Sequence, residues 1–273
     1  MTQFFVTTDD TRLAYDIQGD GVPVIALAGL TRNMADFDHV APNLTGVQLI
    51  RMDYRGRGQS DWADPETYTV PQESADVIAL MDHLGLSQAA ILGTSRGGLI
   101  GMGLAAYMPD RILGVCLNDV GPVITQTGLA HIKSYVGNRP KQKTYEEAAA
   151  FRAEYMTAFR NVPHERWLSE VKAHYVERDN SLHLRYDSAL KQQFANFDSE
   201  LPDLWPVFDL AAQKPMAVIR GENSDILSPE TYDEMRRRAP NMIATTVPDR
   251  GHVPFLDEPE SLNAITAWLA QIT

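Results

Sequence analysis

The sequence predicts an α/β fold: a mostly parallel sheet with helices on both faces and a helical insertion. Three observations carry this. Short apolar runs alternate with helix-like segments through residues 1–122 and again through 213–273. Residues 123–212 offer no convincing buried strand. The pentapeptide Gly93-Thr94-Ser95-Arg96-Gly97 joins an apolar run to a helix. Alternation of strand and helix builds parallel sheets, because the chain needs a crossover to return to the same edge.

The elements follow in order. Phe4 to Thr8 and Leu13 to Gln18 flank Asp9-Asp10 and form a hairpin-like opening. Val22 to Leu27 and Val47 to Met52 are short apolar runs, as buried strands require. Pro71 to Leu84 has helical spacing, with Val77, Leu80, Met81 and Leu84 on one face. Pro71 suits its start and Gly85 its end. The run Ala89 to Leu92 leads into the pentapeptide and then into a helix ending near Pro109. Ile112 to Leu117 is the next strand. Within 123–212, the stretches 145–159, 165–175, 188–196 and 202–211 read as helices. Aromatics including Tyr135, Tyr155, Phe159, Trp167, Tyr175 and Phe197 are scattered along that segment, as cap core or pocket lining. Sheet character returns at Pro215 to Ile219. A helix over 229–238, a strand over 242–247 and a last helix over 258–272 complete the chain. The expected division is a core of 1–122 and 213–273 with a helical cap of 123–212.

Composition narrows the function classes. The chain has 273 residues and 44% hydrophobic content, so a large core is easily supplied. With 24 basic against 36 acidic residues, the net charge of −12 argues against nucleic acid or an anionic membrane as partner. One cysteine, Cys116, cannot form an internal disulfide, and its apolar surroundings predict a buried core residue. The first residues do not read as a signal peptide, and no run is long enough for a membrane span. A soluble cytoplasmic protein acting on a small molecule is the expectation, with homo-oligomerisation open. No H-E-x-x-H cluster, P-loop or strand-linked G-x-G-x-x-G is present, so neither a metal nor another cofactor is expected.

The pentapeptide is a G-x-S-x-G on a strand-to-helix turn, where glycines relieve crowding and expose the serine. Alone it is a weak signal. A serine nucleophile also needs a base and an orienting carboxylate. Of the seven histidines, His252 lies in a loop between the last strand and the last helix, where functional groups of α/β sheets gather. Asp225, four residues past Gly221, is the favoured acid; Asp119 and Glu222 are its rivals. Backbone N–H groups of Arg96 and of Leu30, in the Ala28-Gly29-Leu30-Thr31 loop, are the expected oxyanion donors.

Four motifs, in order across nearly the whole chain, resemble the α/β-hydrolase superfamily, in its group of small bacterial serine hydrolases with a helical cap. They are Asp53-Tyr54-Arg55-Gly56-Arg57-Gly58-Gln59-Ser60, Gly93–Gly98, Gly221-Glu222-Asn223-Ser224-Asp225 and the run from Gly251 to Pro259. The resemblance implies an eight-stranded sheet and a Ser95–His252–Asp225 triad that works through an acyl-enzyme. Carboxylic ester or lactone hydrolysis is the first reading, C–C hydrolysis of a dienoate or β-diketone the second, and a non-catalytic binding protein the third. Serine at position 95 argues against the haloalkane dehalogenase and epoxide hydrolase branches, which use an aspartate nucleophile. One departure is Ala28-Gly29, where many relatives carry His-Gly. The Arg96 side chain has two readings: recognition of a substrate carboxylate, or an ion pair with an acid such as Asp119 or Glu222. The ion pair is favoured, since a buried arginine needs a fixed partner.

Overall fold

The computed structural model describes residues 1–194 and 202–272. Eight strands form one sheet: β1 (Gln3–Val6), β2 (Arg12–Gln18), β3 (Val22–Leu27), β4 (Val47–Met52), β5 (Ala89–Thr94), β6 (Ile112–Asn118), β9 (Met216–Gly221) and β10 (Ile243–Val247). Their spatial order is β1-β2-β4-β3-β5-β6-β9-β10. The pairings β1–β2 and β2–β4 are antiparallel, and the other five are parallel. The C-terminal ends of β5, β6, β9 and β10 therefore lie side by side along one edge of the sheet. Loops leaving those ends can meet, although they are far apart in sequence.

Helices α1 (Val70–His83), α2 (Arg96–Tyr107), α6 (Trp205–Ala211) and α7 (Pro229–Arg238) contribute to the core on one face. Helix α8 (Pro259–Leu269) covers the other with Ala264, Ile265 and Trp268. Trp268 is fully buried, and its Nε1–H donates to Pro215 O at 3.1 Å. Burial of a side chain this size typically stabilises a fold by about 3 kcal/mol. Cys116 is buried in the same layer, and desolvation pushes its thiol pKa up, as befits an inert core residue.

Helix α1 starts as its sequence predicts. Thr69 Oγ1 accepts from Gln72 N, Pro71 lies in the first turn, and Gly85 follows the end at φ +67°. Its buried stripe is Glu73, Asp76, Val77, Leu80 and Met81, so two carboxylates share the apolar face. Each is there for a buried arginine: Asp76 meets Arg55 and Glu73 meets Arg57.

The chain between β6 and β9 contributes no strand to this sheet among the described residues. It contains α3 (Gln126–Tyr135), α4 (Tyr145–Tyr155), α5 (His164–His174), a hairpin of β7 (Tyr175–Arg178) and β8 (Ser181–Leu184), and a 3₁₀ segment, Ser188–Phe194. The sequence reading places a helix over 188–196; Asn196, like Phe197, lies outside the described residues. Helix α3 and the hairpin have no counterpart in the sequence reading. Helix α6, grouped with the insertion by sequence, packs on α2, and Phe208 and Ala211 join the core. It serves as the crossover helix between β6 and β9, because its apolar residues face the sheet layer.

Ion pairs and hydrogen bonds bind the insertion to the core. Arg32 Nη1 reaches Asp36 at 3.2 Å and Glu170 of α5 at 3.3 Å. His174 Nε2 lies 3.1 Å from Asp36, and Arg166 bridges Glu170 to Asp257. Among the described residues, no helix is long and apolar enough to cross a membrane.

Candidate active site

Ser95 stands between β5 and α2 with φ +51° and ψ −112°, a conformation that favours glycine and is imposed here by the turn. The two flanking glycines are steric necessities. A Cβ on Gly93 would lie 2.4 Å from the Gly97 carbonyl, and one on Gly97 would lie 2.1 Å from Leu27 O. Ser95 N–H donates to Asn118 O at 2.9 Å, which ties the turn to the end of β6.

Ser95 and His252 meet as the sequence reading expects. His252 Nε2 lies 2.9 Å from Ser95 Oγ. The loop carrying His252 is fixed by Asn118 Nδ2, which donates to Pro254 O at 3.0 Å and to Thr94 Oγ1 at 3.1 Å. Gly251 lets the insertion approach, since a Cβ there would lie 2.7 Å from Ala158 Cβ.

The carboxylate facing His252 is Asp119, a correction to the expectation for Asp225. Asp119 Oδ2 lies 2.8 Å from His252 Nδ1. The same oxygen accepts from Ser224 Oγ–H at 2.6 Å, and Oδ1 accepts from Gly221 N–H at 2.8 Å. Asp119 has no exposed side-chain surface and adopts φ +57°. Its N–H donates to Ile219 O at 2.7 Å, so it is anchored to β9 by backbone as well. With Asp119 accepting, His252 donates from Nδ1, and Nε2 is left to accept from the serine hydroxyl.

Asp225 misses this position by one residue. In the turn after β9 it is Ser224 that faces inward, accepting at Oγ from Ile226 N–H at 3.2 Å and Leu227 N–H at 3.0 Å. Asp225 is turned toward α3, where its Oδ2 lies 3.1 Å from His131 Nδ1. Glu222 is exposed and accepts from Asp249 N–H.

Neither Leu30 N–H nor Arg96 N–H, the two expected oxyanion donors, has a protein acceptor among the described residues. Arg96 is the first residue of α2, where an orphan donor is intrinsic to the helix. Gly29 brings the Leu30 loop close, since a Cβ on it would lie 3.9 Å from Ser95 Cβ and 3.4 Å from Arg32 Cδ.

The Arg96 side chain forms an ion pair, as favoured, but with an acid that sequence reasoning missed. Its Nε donates to Glu73 Oε2 at 2.5 Å and its Nη2 donates to Tyr68 O at 2.7 Å. Arg57 Nη1 lies 2.8 Å from the other carboxylate oxygen of Glu73, within ion-pair distance but without directed hydrogen-bond geometry. Arg57 also donates from Nε to Leu30 O at 3.0 Å and from Nη1 to Arg55 O at 2.6 Å. Burial lowers the pKa of Arg57, and Glu73 opposes that shift.

The loop after β4 is held by Asp53, which accepts from Met34 N–H at 2.7 Å and Gln59 N–H at 2.8 Å. Burial raises its pKa to about 6 against the pull of those two donors. Gly58 must be glycine, because a Cβ there would lie 2.0 Å from Asp53 Oδ2. Among the described residues, no group of three or more His, Cys, Asp or Glu side chains is arranged to hold a metal ion.

A family model described as the alpha/beta hydrolase family matches residues 24–265. The chain is 35% identical to a 3-hydroxybutyrate-oligomer hydrolase of Cupriavidus necator, over 92% of this chain and 90% of that protein. It is 27% identical to a 2-(acetamidomethylene)succinate hydrolase of Mesorhizobium japonicum, over 92% and 89% respectively. A crystal structure of an alpha/beta hydrolase from Novosphingobium aromaticivorans superposes with a TM-score of 0.93 at 37% identity, covering 100% of this chain and 98% of that one.

Proposed function

Because the chain belongs to the alpha/beta hydrolase family, we propose that it is a serine hydrolase acting on a small carboxylic ester or lactone. One observation carries this reading: the continuous relay from Ser95 Oγ to His252 Nε2 at 2.9 Å and from His252 Nδ1 to Asp119 Oδ2 at 2.8 Å.

The chemistry follows from that geometry. His252 takes the hydroxyl proton as Ser95 Oγ bonds to the substrate carbonyl carbon. Asp119 holds the imidazole in the required tautomer and stabilises its cation. Leu30 and Arg96 N–H groups donate to the oxyanion of the tetrahedral intermediate, each worth about 3 kcal/mol in such sites. The C–O bond to the leaving group then breaks, and His252 returns the proton to the departing oxygen. Water attacks the acyl-serine with His252 again as base, releasing the acid and restoring Ser95. The insertion acts as a cap over this edge of the sheet and sets the substrate range.

The substrate in the name of the Cupriavidus relative gives a first candidate. An oligomer of a hydroxy acid is joined by ester bonds, which this relay suits. The test is a fluorophosphonate probe followed by a substrate panel. Labelling of the wild-type protein that disappears in Ser95→Ala is the expected result. Turnover of 3-hydroxybutyrate dimers and of p-nitrophenyl esters should accompany it. Folded wild-type protein that neither labels nor turns over any ester or lactone overturns the reading. Turnover of a dienoate alone would replace it with C–C hydrolysis.

A further inference from the structure

Glu73 is an unusual residue to bury. It sits on the apolar stripe of α1 with no exposed side-chain surface, between two guanidinium groups. Taking a carboxylate and two arginines out of water is costly, and an apolar trio would often be more stable. The arrangement therefore calls for a role besides stability.

Each arginine leads to a segment next to Ser95. Arg96 is clamped by Glu73 and Tyr68 O at its side chain, while its own backbone N–H opens the first turn of α2. Arg57 donates from Nε to Leu30 O, so its guanidinium grips the loop whose Gly29 lies next to Ser95. The Arg57 guanidinium carbon lies 5.6 Å from the Tyr54 ring centre and 5.2 Å from that of Tyr68, which restrains it further. Tyr54 Oη–H donates to Ala28 O at 3.1 Å and holds the start of the same loop. This loop carries alanine at position 28, with no polar side chain of its own to order it. Its order comes from beneath, through Tyr54 and Arg57.

We propose that Glu73 is a positioning residue for the oxyanion hole, holding the Leu30 and Arg96 backbone donors at a fixed separation through Arg57 and Arg96. The inference rests on the serine-hydrolase reading above. Glu73 touches no substrate; it acts through the two arginines. Its effect falls on the tetrahedral intermediate, where the donors are used, and not on ground-state binding.

The experiment is steady-state kinetics on Glu73→Gln and Arg57→Lys, with affinity for a boronic acid that forms a tetrahedral serine adduct. Glutamine keeps the shape and removes the charge. Lysine keeps a cation beside Glu73 but loses the directed donor to Leu30 O. Both variants should lose about 10²-fold in kcat with KM within about twofold. Boronate affinity should fall by a similar factor. Circular dichroism and thermal melting establish that the assayed protein is folded. A folded variant with kcat within threefold of wild type, or with a kcat loss unaccompanied by weaker boronate binding, overturns the inference. So does failure of both variants to fold, since Glu73 would then be holding the fold and not the donors. If the wild-type protein itself neither labels nor hydrolyses, the functional reading fails and this one falls with it. If the wild type is active and the variants are unaffected, only this inference fails.

Discussion

Two histidine–aspartate pairs lie at this edge of the sheet; both join Nδ1 to Oδ2, and they differ in burial and in what else holds the carboxylate. His252–Asp119 has a 2.8 Å contact with 13% and 0% side-chain exposure. His131–Asp225 has a 3.1 Å contact with 57% and 45% exposure. Asp119 also receives Gly221 N–H and Ser224 Oγ–H, so with His252 three donors hold it and its orientation is fixed. The Asp225 carboxylate has only His131 among the described residues. In a water-excluded site a charge contact is strong and directional, whereas a solvated pair is screened and contributes little. Residue identity does not separate the two pairs; burial and the additional donors to the carboxylate do.

The contrast can be broken most directly at Asp119. Asp119→Asn should lower kcat by about 10⁴-fold with the fold intact, because an amide facing Nδ1 no longer enforces the working tautomer. A loss below tenfold, with Asp225→Asn carrying the larger one, would reverse the two roles. Ser224→Ala removes one donor to Asp119 and should cost about tenfold in kcat, measured on the same ester. An unchanged kcat would show that Gly221 N–H alone suffices.

A third pair, His174–Asp36, joins α5 to the core and sharpens the comparison through pH. Burial lowers the pKa of His174 below its ordinary 6.5, with nearby Arg32 and Arg152 adding to the shift and Asp36 opposing it. The unfolded chain then takes up a proton near pH 6.5 that the folded chain resists. Its stabilising contribution is present above that pH and is lost as pH falls below it, by at most about 1.4 kcal/mol per unit. Denaturant midpoints measured from pH 8 to pH 5 should fall more steeply for the wild type than for His174→Gln. Equal slopes would remove the assignment. The smallest effect belongs to Asp225→Asn, which should leave kcat within about threefold and the melting temperature nearly unchanged.

The core was readable because its signals are local. Apolar runs, Pro71, Gly85 and the glycines around Ser95 each report on their own neighbourhood. His252 was readable because it follows a strand. The carboxylate that faces it was not, since that depends on lateral order and on one residue of turn register. Strand β6 lies between β5 and β9, which sets Asp119 beside the serine turn, and the turn after β9 aims Ser224 inward instead of Asp225. Helix α3 hides because it buries only Gly128 and Leu129, leaving no apolar stripe to detect. The β7–β8 hairpin is two four-residue strands joined at Asp179 and Asn180, both at positive φ. Its turn chemistry was visible, but such short strands carry little periodicity. Glu73 gave no signal at all, because a glutamate in a helix reads as a solvent-facing residue until its arginines are located in space.

Asp119 is the first residue past the end of β6, ahead of the whole insertion, yet all its anchors lie in the core. Among the described residues the segment beyond it gives no hydrogen bond to the Ser95, His252 or Asp119 side chains, and it meets the His252 loop by packing on Gly251. A chimera that crosses over after Gly121 and returns before α6 keeps Ser95, Asp119, Ser224 and His252 in one unbroken unit. Such a chain keeps every anchor of Asp119 and replaces the partners that residues 158–160 give to Asn223, Asp249 and Arg250.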